Sequence, residues 1–182
     1  MSYLPNIITI FRIAMAPLLI LLLRDQAYQL AFYVFILAGI SDGLDGYIAK
    51  RFGYTSQLGG ILDPLADKLL VVSAYVMLTL YGQLPFWLML TVAFRDLLIV
   101  GGYLIYVILN GSVQMQPSYL SKVNTFMQIS LVVLVLAVEG FSLPLDWLVR
   151  GVVYVVFATT VSSGVHYLWV WVVRKDVVRN AP

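Results

Sequence analysis

The chain has 182 residues, of which 62% are hydrophobic and 11% are charged. Soluble domains carry about 25% charged residues, so this composition excludes an ordinary soluble domain and predicts a membrane protein. The absence of cysteine excludes disulfides, thiolate nucleophiles and metal sites with Cys ligands. The basic residues are dispersed and the net charge is only +2, so we expect no nucleic-acid partner.

The apolar stretches predict the helices in chain order. A membrane span takes about 20 residues, which leaves room for six spans with short connections. Turn residues at 82–85 and 110–117 divide two of the longer apolar stretches. We therefore predict spans at residues 5–23, 27–50, 60–81, 85–109, 118–138 and 145–173. The expected fold is an all-α polytopic membrane protein with one domain, residues 1–182, and without a cleaved signal peptide.

The distribution of basic residues predicts the orientation of these spans. Six spans place both termini on the same side of the membrane. If that side is the cytoplasm, only Arg24 and Arg150 lie outside, as the positive-inside rule requires. Five basic residues are then cytoplasmic, namely Lys50, Arg51, Arg174, Lys175 and Arg179.

Four aspartates, here called the acidic quartet, are concentrated at two neighbouring span ends. Asp42 and Asp45 lie near the end of the second predicted span, and Asp63 and Asp67 lie at the start of the third. A charge inside a span costs about 2.5–3.5 kcal/mol and usually marks a functional site. The members of each pair are three or four residues apart, so they share one helix face. A hairpin closed by residues 53–60 can bring the pairs together.

Facing carboxylates at this depth must be protonated or compensated by cations. Two divalent ions would cancel the charge of the acidic quartet, and oxygen ligands without His or Cys favour Mg²⁺ or Mn²⁺. The glycines beside both pairs allow a ligand or a neighbouring helix to approach closely. A salt-bridge network with Lys50, Arg51 and Lys68 is the alternative interpretation.

A metal site of this kind suits a substrate that carries a pyrophosphate. Its oxygens would complete the coordination of the ions, and Lys50 and Arg51 lie beside the site in the sequence. An embedded site is suited to a lipid whose diphosphate lies at headgroup level while its tails remain in the bilayer. The residues therefore predict transfer from an activated lipid.

The same segment resembles the signature of the CDP-alcohol phosphatidyltransferase family, which is DxxDGxxAR, eight further residues and GxxxDxxxD. The positions that carry the resemblance are Asp42, Asp45, Gly46, Ala49, Lys50, Gly59, Asp63 and Asp67. Lys50 stands where the family usually has Arg. The resemblance implies CDP-diacylglycerol as the donor, two Mg²⁺ or Mn²⁺ ions on the acidic quartet, and CMP as the leaving group. It also implies that Asp67 deprotonates the acceptor hydroxyl and that Gly46, Ala49, Lys50 and Gly59 contact the donor.

The first predicted span carries three further donor candidates. Asn6, Thr9 and Arg12 are similar to residues that lie near the donor phosphates in this family. Arg12 could instead extend its long side chain to the membrane interface. Both interpretations stay open for Arg12.

Three other basic residues are candidates for binding a phosphate or the acceptor. They are Arg51, Arg95 and Lys122. Arg95 could instead pair with its neighbour Asp96. The resemblance also implies a homodimer, and we expect a protein of the bacterial inner membrane whose active site faces the cytoplasm.

Two short elements bear on the acceptor alcohol. The segment 121–128 resembles the SKVNTxxQ element of the eukaryotic-type cardiolipin synthases of this family, and Arg95-Asp96 resembles their Arg-Asp pair. The phosphatidylglycerophosphate synthases usually have Arg-Glu, a second Arg a turn or two later, and Lys at the position of Asn124. Fewer cations favour the headgroup of phosphatidylglycerol over the dianion of glycerol 3-phosphate. We expect phosphatidylglycerol as the acceptor, with glycerol 3-phosphate as the alternative.

Two other classes of protein also use intramembrane aspartates. A UbiA-type prenyltransferase binds a lipid diphosphate through magnesium, but such chains are usually longer, with more spans and two separated DxxxD-like motifs. A magnesium or proton transporter needs carboxylates that reach both membrane faces. Here the acidic quartet is near one predicted face, and Asp96 is the only other deep acid, so both alternatives are less favoured.

Overall fold

A computed structural model describes residues 4–52, 59–110 and 119–173, with side chains described for residues 13–41, 68–102 and 119–169. The described residues form six α-helices and no strand. The helices are α1 (Leu4–Arg24), α2 (Tyr28–Phe52), α3 (Gly59–Leu80), α4 (Phe86–Asn110), α5 (Tyr119–Phe141) and α6 (Asp146–Val173). All six predicted helices are confirmed, and their ends lie within three residues of the predicted spans.

Three of the helices end in the same way, immediately before a tight turn. Gln26, Gly82 and Ser142 have left-handed backbone angles, with φ of 55°, 77° and 51°. In each turn the next amide donates to the carbonyl five residues earlier, at 2.8–3.0 Å. This arrangement satisfies carbonyls that a helix end leaves unpaired. It closes α1, α3 and α5 and allows the next helix to begin within a few residues.

The first helix positions the two helices that carry the acidic quartet. Helix α1 packs against both α2 and α3, while α5 packs against both α2 and α6, and α4 packs mainly against α6. Helices throughout the bundle contribute buried apolar side chains to the core, among them Leu19, Ala31, Tyr75, Leu88 and Leu131. Since α1 contacts both acidic helices, its packing fixes where their backbones lie relative to each other.

The end of α5 touches the start of α2 at a glycine. A Cβ atom on Gly140 would lie 2.9 Å from the Cα and amide nitrogen of Gln29 and 3.1 Å from the carbonyl carbon of Tyr28. The sequence-based span ended at 138, before Glu139 and Gly140. Helix α5 continues three residues beyond that boundary, to Phe141. Glycine at position 140 is required because the backbone of α2 leaves no space for a side chain there.

The described surface is largely apolar and the interior holds polar side chains. Each of the six helices exposes large apolar residues, for example Leu21, Leu30, Leu80, Leu97, Phe126 and Trp169. The buried polar residues are Arg95, Asn124, Gln128, Thr160 and Ser163. An extended apolar surface is unusual for a soluble protein and is typical of helices that face lipid.

Two helical segments, Tyr119–Phe141 and Asp146–Trp169, are long and apolar enough to cross a membrane, judged by length and composition. In the part of the chain that the structure describes, three further apolar helical stretches are shorter: Ile13–Arg24, Tyr28–Ser41 and Lys68–Leu80. Judged on the described residues alone, two of the six predicted spans therefore meet this criterion.

Replacing Gly140 with Ala tests the contact between α5 and α2. The new methyl group would meet backbone atoms, which cannot rotate away as a side chain could. We expect the free energy of unfolding to fall by about 1–3 kcal/mol, measured as a lower melting temperature in detergent. Gly151→Ala is the control, because nothing lies within 4 Å of its Cβ position and Ala favours a helix over Gly. Equal melting temperatures for the two variants would contradict the contact.

Candidate functional site

The backbone of both acidic segments is helical. Asp42 and Asp45 lie in α2, and Asp63 and Asp67 lie in α3. At a helical rise of 1.5 Å per residue the members of the two pairs are separated by about 4.5 and 6 Å along the axis. The side chains of these four residues lie outside the described set. Their arrangement around a metal therefore stays a prediction.

Other candidate residues also have a described helical backbone and side chains outside the described set. They are Asn6, Thr9 and Arg12 in α1, Gly46, Ala49, Lys50 and Arg51 in α2, and Gly59 at the start of α3. Helices α1, α2 and α3 are in mutual contact through α1. The fold thus brings the helices that carry these residues together, and the contacts of their side chains stay predictions.

The described side chains next to the acidic quartet form a network of ion pairs. Lys68 directly follows Asp67 in α3, and its ammonium binds a carboxylate oxygen of Asp96 in α4. The other carboxylate oxygen of Asp96 accepts a hydrogen bond from Nη1 of Arg95 at 2.9 Å. The side chain of Lys68 is 37% exposed, that of Asp96 12% and that of Arg95 5%. The network therefore runs from a partly accessible ammonium into the core of the bundle.

Two serines hold the guanidinium of Arg95. Its Nε and Nη2 donate to the hydroxyl oxygen of Ser163 in α6, at 3.3 and 2.8 Å. Its Nη2 also donates to the hydroxyl oxygen of Ser121 in α5, at 2.6 Å. Arginine suits this position because its donors point in fixed directions and its charge is permanent. Together with Lys68, the network joins α3, α4, α5 and α6.

A second polar cluster lies one turn further along α5. The hydroxyl of Thr160 donates to Oδ1 of Asn124 at 2.9 Å, and the hydroxyl of Thr159 lies 3.0 Å from the same oxygen. Asn124 and Gln128 are fully buried, and the Tyr75 hydroxyl donates to the backbone carbonyl of Gln128 at 3.3 Å. These bonds fix α5 against α3 and α6 and place position 124 in the interior.

The network of Lys68, Asp96 and Arg95 contains two cations and one anion, so it carries one excess positive charge. Lys122 is exposed beside Ser121 and adds a cation to the same end of α5. The sequence left open whether Arg95 pairs with Asp96 or faces a phosphate. The structure shows the pairing, and a phosphate role for Arg95 stays a prediction.

Sequence reasoning did not identify Ser163, Thr159 or Thr160 as polar partners. A signal was present, because Thr160 and Ser163 are three residues apart in an apolar helix and therefore share one face. Small polar residues in such a helix usually face other helices rather than lipid. The partner of each residue lies on another helix and could not be read from this spacing.

The donor set of the acidic quartet fits the implied metal. Four carboxylates with no His or Cys nearby provide hard oxygen ligands for Mg²⁺ or Mn²⁺. Among the described residues no group of three or more Asp, Glu, His or Cys side chains could hold a metal ion. The four predicted ligands lie outside that set, so the proposed metal site depends on their spacing in α2 and α3.

Comparison with known proteins identifies the family to which this chain belongs. Residues 2–162 match the model of a family described as CDP-alcohol phosphatidyltransferase. The chain belongs to this family. The resemblance inferred from the acidic signature is thereby confirmed, and the match favours a phosphatidyltransferase over the prenyltransferase and transporter alternatives.

Three relatives are named for different reactions. The chain is 35% identical to human cardiolipin synthase (CMP-forming) over 154 residues, 76% of this chain and 51% of that protein. A probable phosphatidylglycerophosphate synthase of Mycobacterium tuberculosis is 33% identical over 175 residues, covering 91% and 79%. The CDP-diacylglycerol–glycerol-3-phosphate 3-phosphatidyltransferase of Rickettsia typhi is 33% identical over 172 residues, covering 92% and 96%. The chain spans about half the length of the animal relatives it matches.

Replacing Ser163 with Ala tests the anchoring of Arg95. The variant leaves two guanidinium donors of a buried cation without their acceptor, so we expect the free energy of unfolding to fall by about 1–3 kcal/mol. Ser162→Ala is the matched control, because Ser162 is exposed and its loss should change stability by no more than about 0.5 kcal/mol. Thermal unfolding in detergent measures both. A Ser163→Ala variant as stable as the control would contradict the described role.

Proposed function

We propose that the protein transfers the phosphatidyl group of CDP-diacylglycerol to an alcohol and releases CMP. The observation that carries this proposal is the family signature, matched at every position except Lys50, on two consecutive helices, α2 and α3, that both pack against α1. The names of the human, mycobacterial and rickettsial relatives support phosphatidyl transfer in phospholipid synthesis.

The acidic quartet is proposed to hold two divalent cations, Mg²⁺ or Mn²⁺. When bound, the ions neutralise negative charge on the pyrophosphate of the donor. The four aspartates would hold the ions, with two carboxylates supplied by α2 and two by α3. The pairs are spaced for this role on helices whose backbones are fixed by α1.

The donor is proposed to lie along α1, α2 and the start of α3. Small residues leave room for its cytidine end, and polar residues face its phosphates. The proposed donor-binding residues are Asn6, Thr9, Arg12, Gly46, Ala49, Lys50 and Gly59. Lys50 replaces the usual Arg and supplies a single ammonium where a guanidinium would supply a planar fork of donors.

Asp67 is proposed to act as the general base. Its carboxylate accepts the proton of the acceptor hydroxyl, and the hydroxyl oxygen forms a bond to the phosphorus that bears the diacylglycerol. The bond between that phosphorus and the CMP oxygen breaks, and CMP leaves with the bonding electrons. The phosphatidyl group passes directly between the two substrates, so no covalent enzyme intermediate forms.

We propose phosphatidylglycerol as the acceptor, which would make the product cardiolipin. The guanidinium of Arg95 already binds Asp96 and two serines, and the ammonium of Lys68 binds the same carboxylate. Asn124 is buried against Thr160, so position 124 supplies no cation to an acceptor. A dianion needs several charged contacts. The glycerol hydroxyls of phosphatidylglycerol are uncharged and need fewer cationic side chains, such as the exposed Lys122.

Glycerol 3-phosphate is the second candidate acceptor. One observation favours it: the Rickettsia typhi relative, of which the match covers 96%, is named for that acceptor. In this case Arg51, Arg95 and Lys122 are the candidates for binding the acceptor phosphate.

The chain is further proposed to form one integral membrane domain over residues 1–182, with all six helices crossing the bilayer. The apolar outer faces of the helices support this arrangement. Arg24 ends α1 and Arg150 lies near the start of α6, so both lie at the end of the bundle that we propose to face away from the cytoplasm. The positive-inside rule then places the other end of the bundle, with both termini and the acidic quartet, on the cytoplasmic side. We propose a homodimer, as the family resemblance implies, and we propose a bacterial inner membrane as its location.

Replacing Asp67 with Asn tests the proposed base. The amide keeps the shape of the side chain but accepts no proton, so we expect CMP release to fall by about 100-fold or more. Folding should persist. Because the other three aspartates of the quartet remain as proposed metal ligands, donor binding should persist in part, shown by stabilisation against heat when CDP-diacylglycerol is added. Asp25→Asn is the control, since Asp25 is exposed in the turn between α1 and α2. Near-normal turnover by Asp67→Asn would show that another group removes the proton.

An acceptor panel tests the choice of alcohol. Purified protein with CDP-diacylglycerol and Mg²⁺ is offered phosphatidylglycerol or glycerol 3-phosphate, and CMP and lipid products are measured. We expect cardiolipin from phosphatidylglycerol. Product formed with glycerol 3-phosphate alone would establish the second candidate and reject the first.

A further inference from the structure

The position of Lys68 poses an electrostatic problem for the proposed site. Lys68 directly follows Asp67 in α3, and a lysine ammonium is a mobile charge on a long, flexible stem. Carboxylates close to a partly buried ammonium attract it strongly, because the effective dielectric constant is lower than in water. An ammonium bound among the carboxylates would compete with divalent cations for the same oxygens.

The structure shows the ammonium of Lys68 bound elsewhere. It contacts an oxygen of Asp96, on the neighbouring helix α4. Asp96 is itself held by Arg95, which uses the other carboxylate oxygen at 2.9 Å. Arg95 is fixed in turn by Ser121 and Ser163. Of the three charged residues Lys68 is the most exposed, so it is the member most free to move if its partner is removed.

We propose that Asp96 is a positioning residue that binds the ammonium of Lys68 and keeps it off the acidic quartet. The quartet then stays available to divalent cations. The carboxylate of Asp96 stays in position to bind Lys68 because it is bound by Arg95. Arg95 is itself hydrogen-bonded to Ser121 in α5 and Ser163 in α6. This inference rests on the metal-binding role proposed above for the quartet.

Binding of Mn²⁺ to the purified full chain in detergent, without any lipid substrate, tests this inference. Electron paramagnetic resonance of free Mn²⁺ gives the dissociation constant. Asp96→Asn releases Lys68, so we expect the dissociation constant for Mn²⁺ to rise on the order of ten-fold. Removing the released ammonium as well, in the double variant Asp96→Asn with Lys68→Met, should restore the constant to within about three-fold of the original protein.

The double variant separates this role from a merely structural one. It has the same net charge as the original protein at these positions, and it lacks the same carboxylate as Asp96→Asn. If Asp96 only stabilises the fold, the double variant will bind Mn²⁺ as weakly as Asp96→Asn. That result, or unchanged Mn²⁺ binding by Asp96→Asn, would overturn the inference.

Lys68→Met alone keeps the inference testable if Asp96→Asn fails to fold. Because Asp96 already binds the ammonium of Lys68, removing that ammonium should change the dissociation constant for Mn²⁺ by no more than about three-fold. Mn²⁺ binding tighter by ten-fold or more would show that Lys68 occupies the quartet in the original protein, and would overturn the inference.

Asp63→Asn distinguishes failure of this inference from failure of the proposed function. If Mn²⁺ binding is insensitive to Asp63→Asn, the quartet is not the metal site and the proposed function loses its basis. If Mn²⁺ binding is lost in Asp63→Asn but unchanged in Asp96→Asn, the quartet binds the metal and only the role of Asp96 is rejected.

Discussion

A charge inside an apolar helical bundle requires a partner, and this requirement explains the described interior. The side chain of Arg95 is only 5% exposed, and it is stabilised by a carboxylate and two hydroxyls. Without them, burial of the guanidinium would be strongly unfavourable. The same requirement applies to the acidic quartet. It has four negative charges in neighbouring helix segments, and divalent cations are the partners that we propose for them.

The fold divides the proposed chemistry between two groups of helices. Helices α2 and α3 carry the family signature, and α1 packs against both. Helices α4, α5 and α6 carry the network around Arg95. The ion pair of Lys68 with Asp96 joins the groups, and the packing of α2 against α5 adds a second contact. A donor held by the first group and an acceptor near the second would meet where the two groups touch.

The helices could be predicted because apolar stretches alternate with turn residues at fixed places. The approach of α2 to Gly140 near the end of α5 could not be predicted, since it depends on how the helices pack. Arg95 and Asp96 are adjacent, so their pairing was one of the alternatives open from sequence. The contacts of Lys68 with Asp96, 28 residues away, and of Arg95 with Ser163, 68 residues away, depend on how the helices assemble. The acidic signature could be found from sequence because its chemistry depends on short spacings within two helices.

The number of Mn²⁺ ions bound per chain in the presence of CDP-diacylglycerol provides a decisive measurement. Two carboxylates from each of two helices, closing on a pyrophosphate, should hold two ions near enough to couple magnetically in electron paramagnetic resonance. A chain in which all four aspartates are replaced by Asn should bind neither ion. A single uncoupled ion, or two ions that persist after these replacements, would contradict the proposed site.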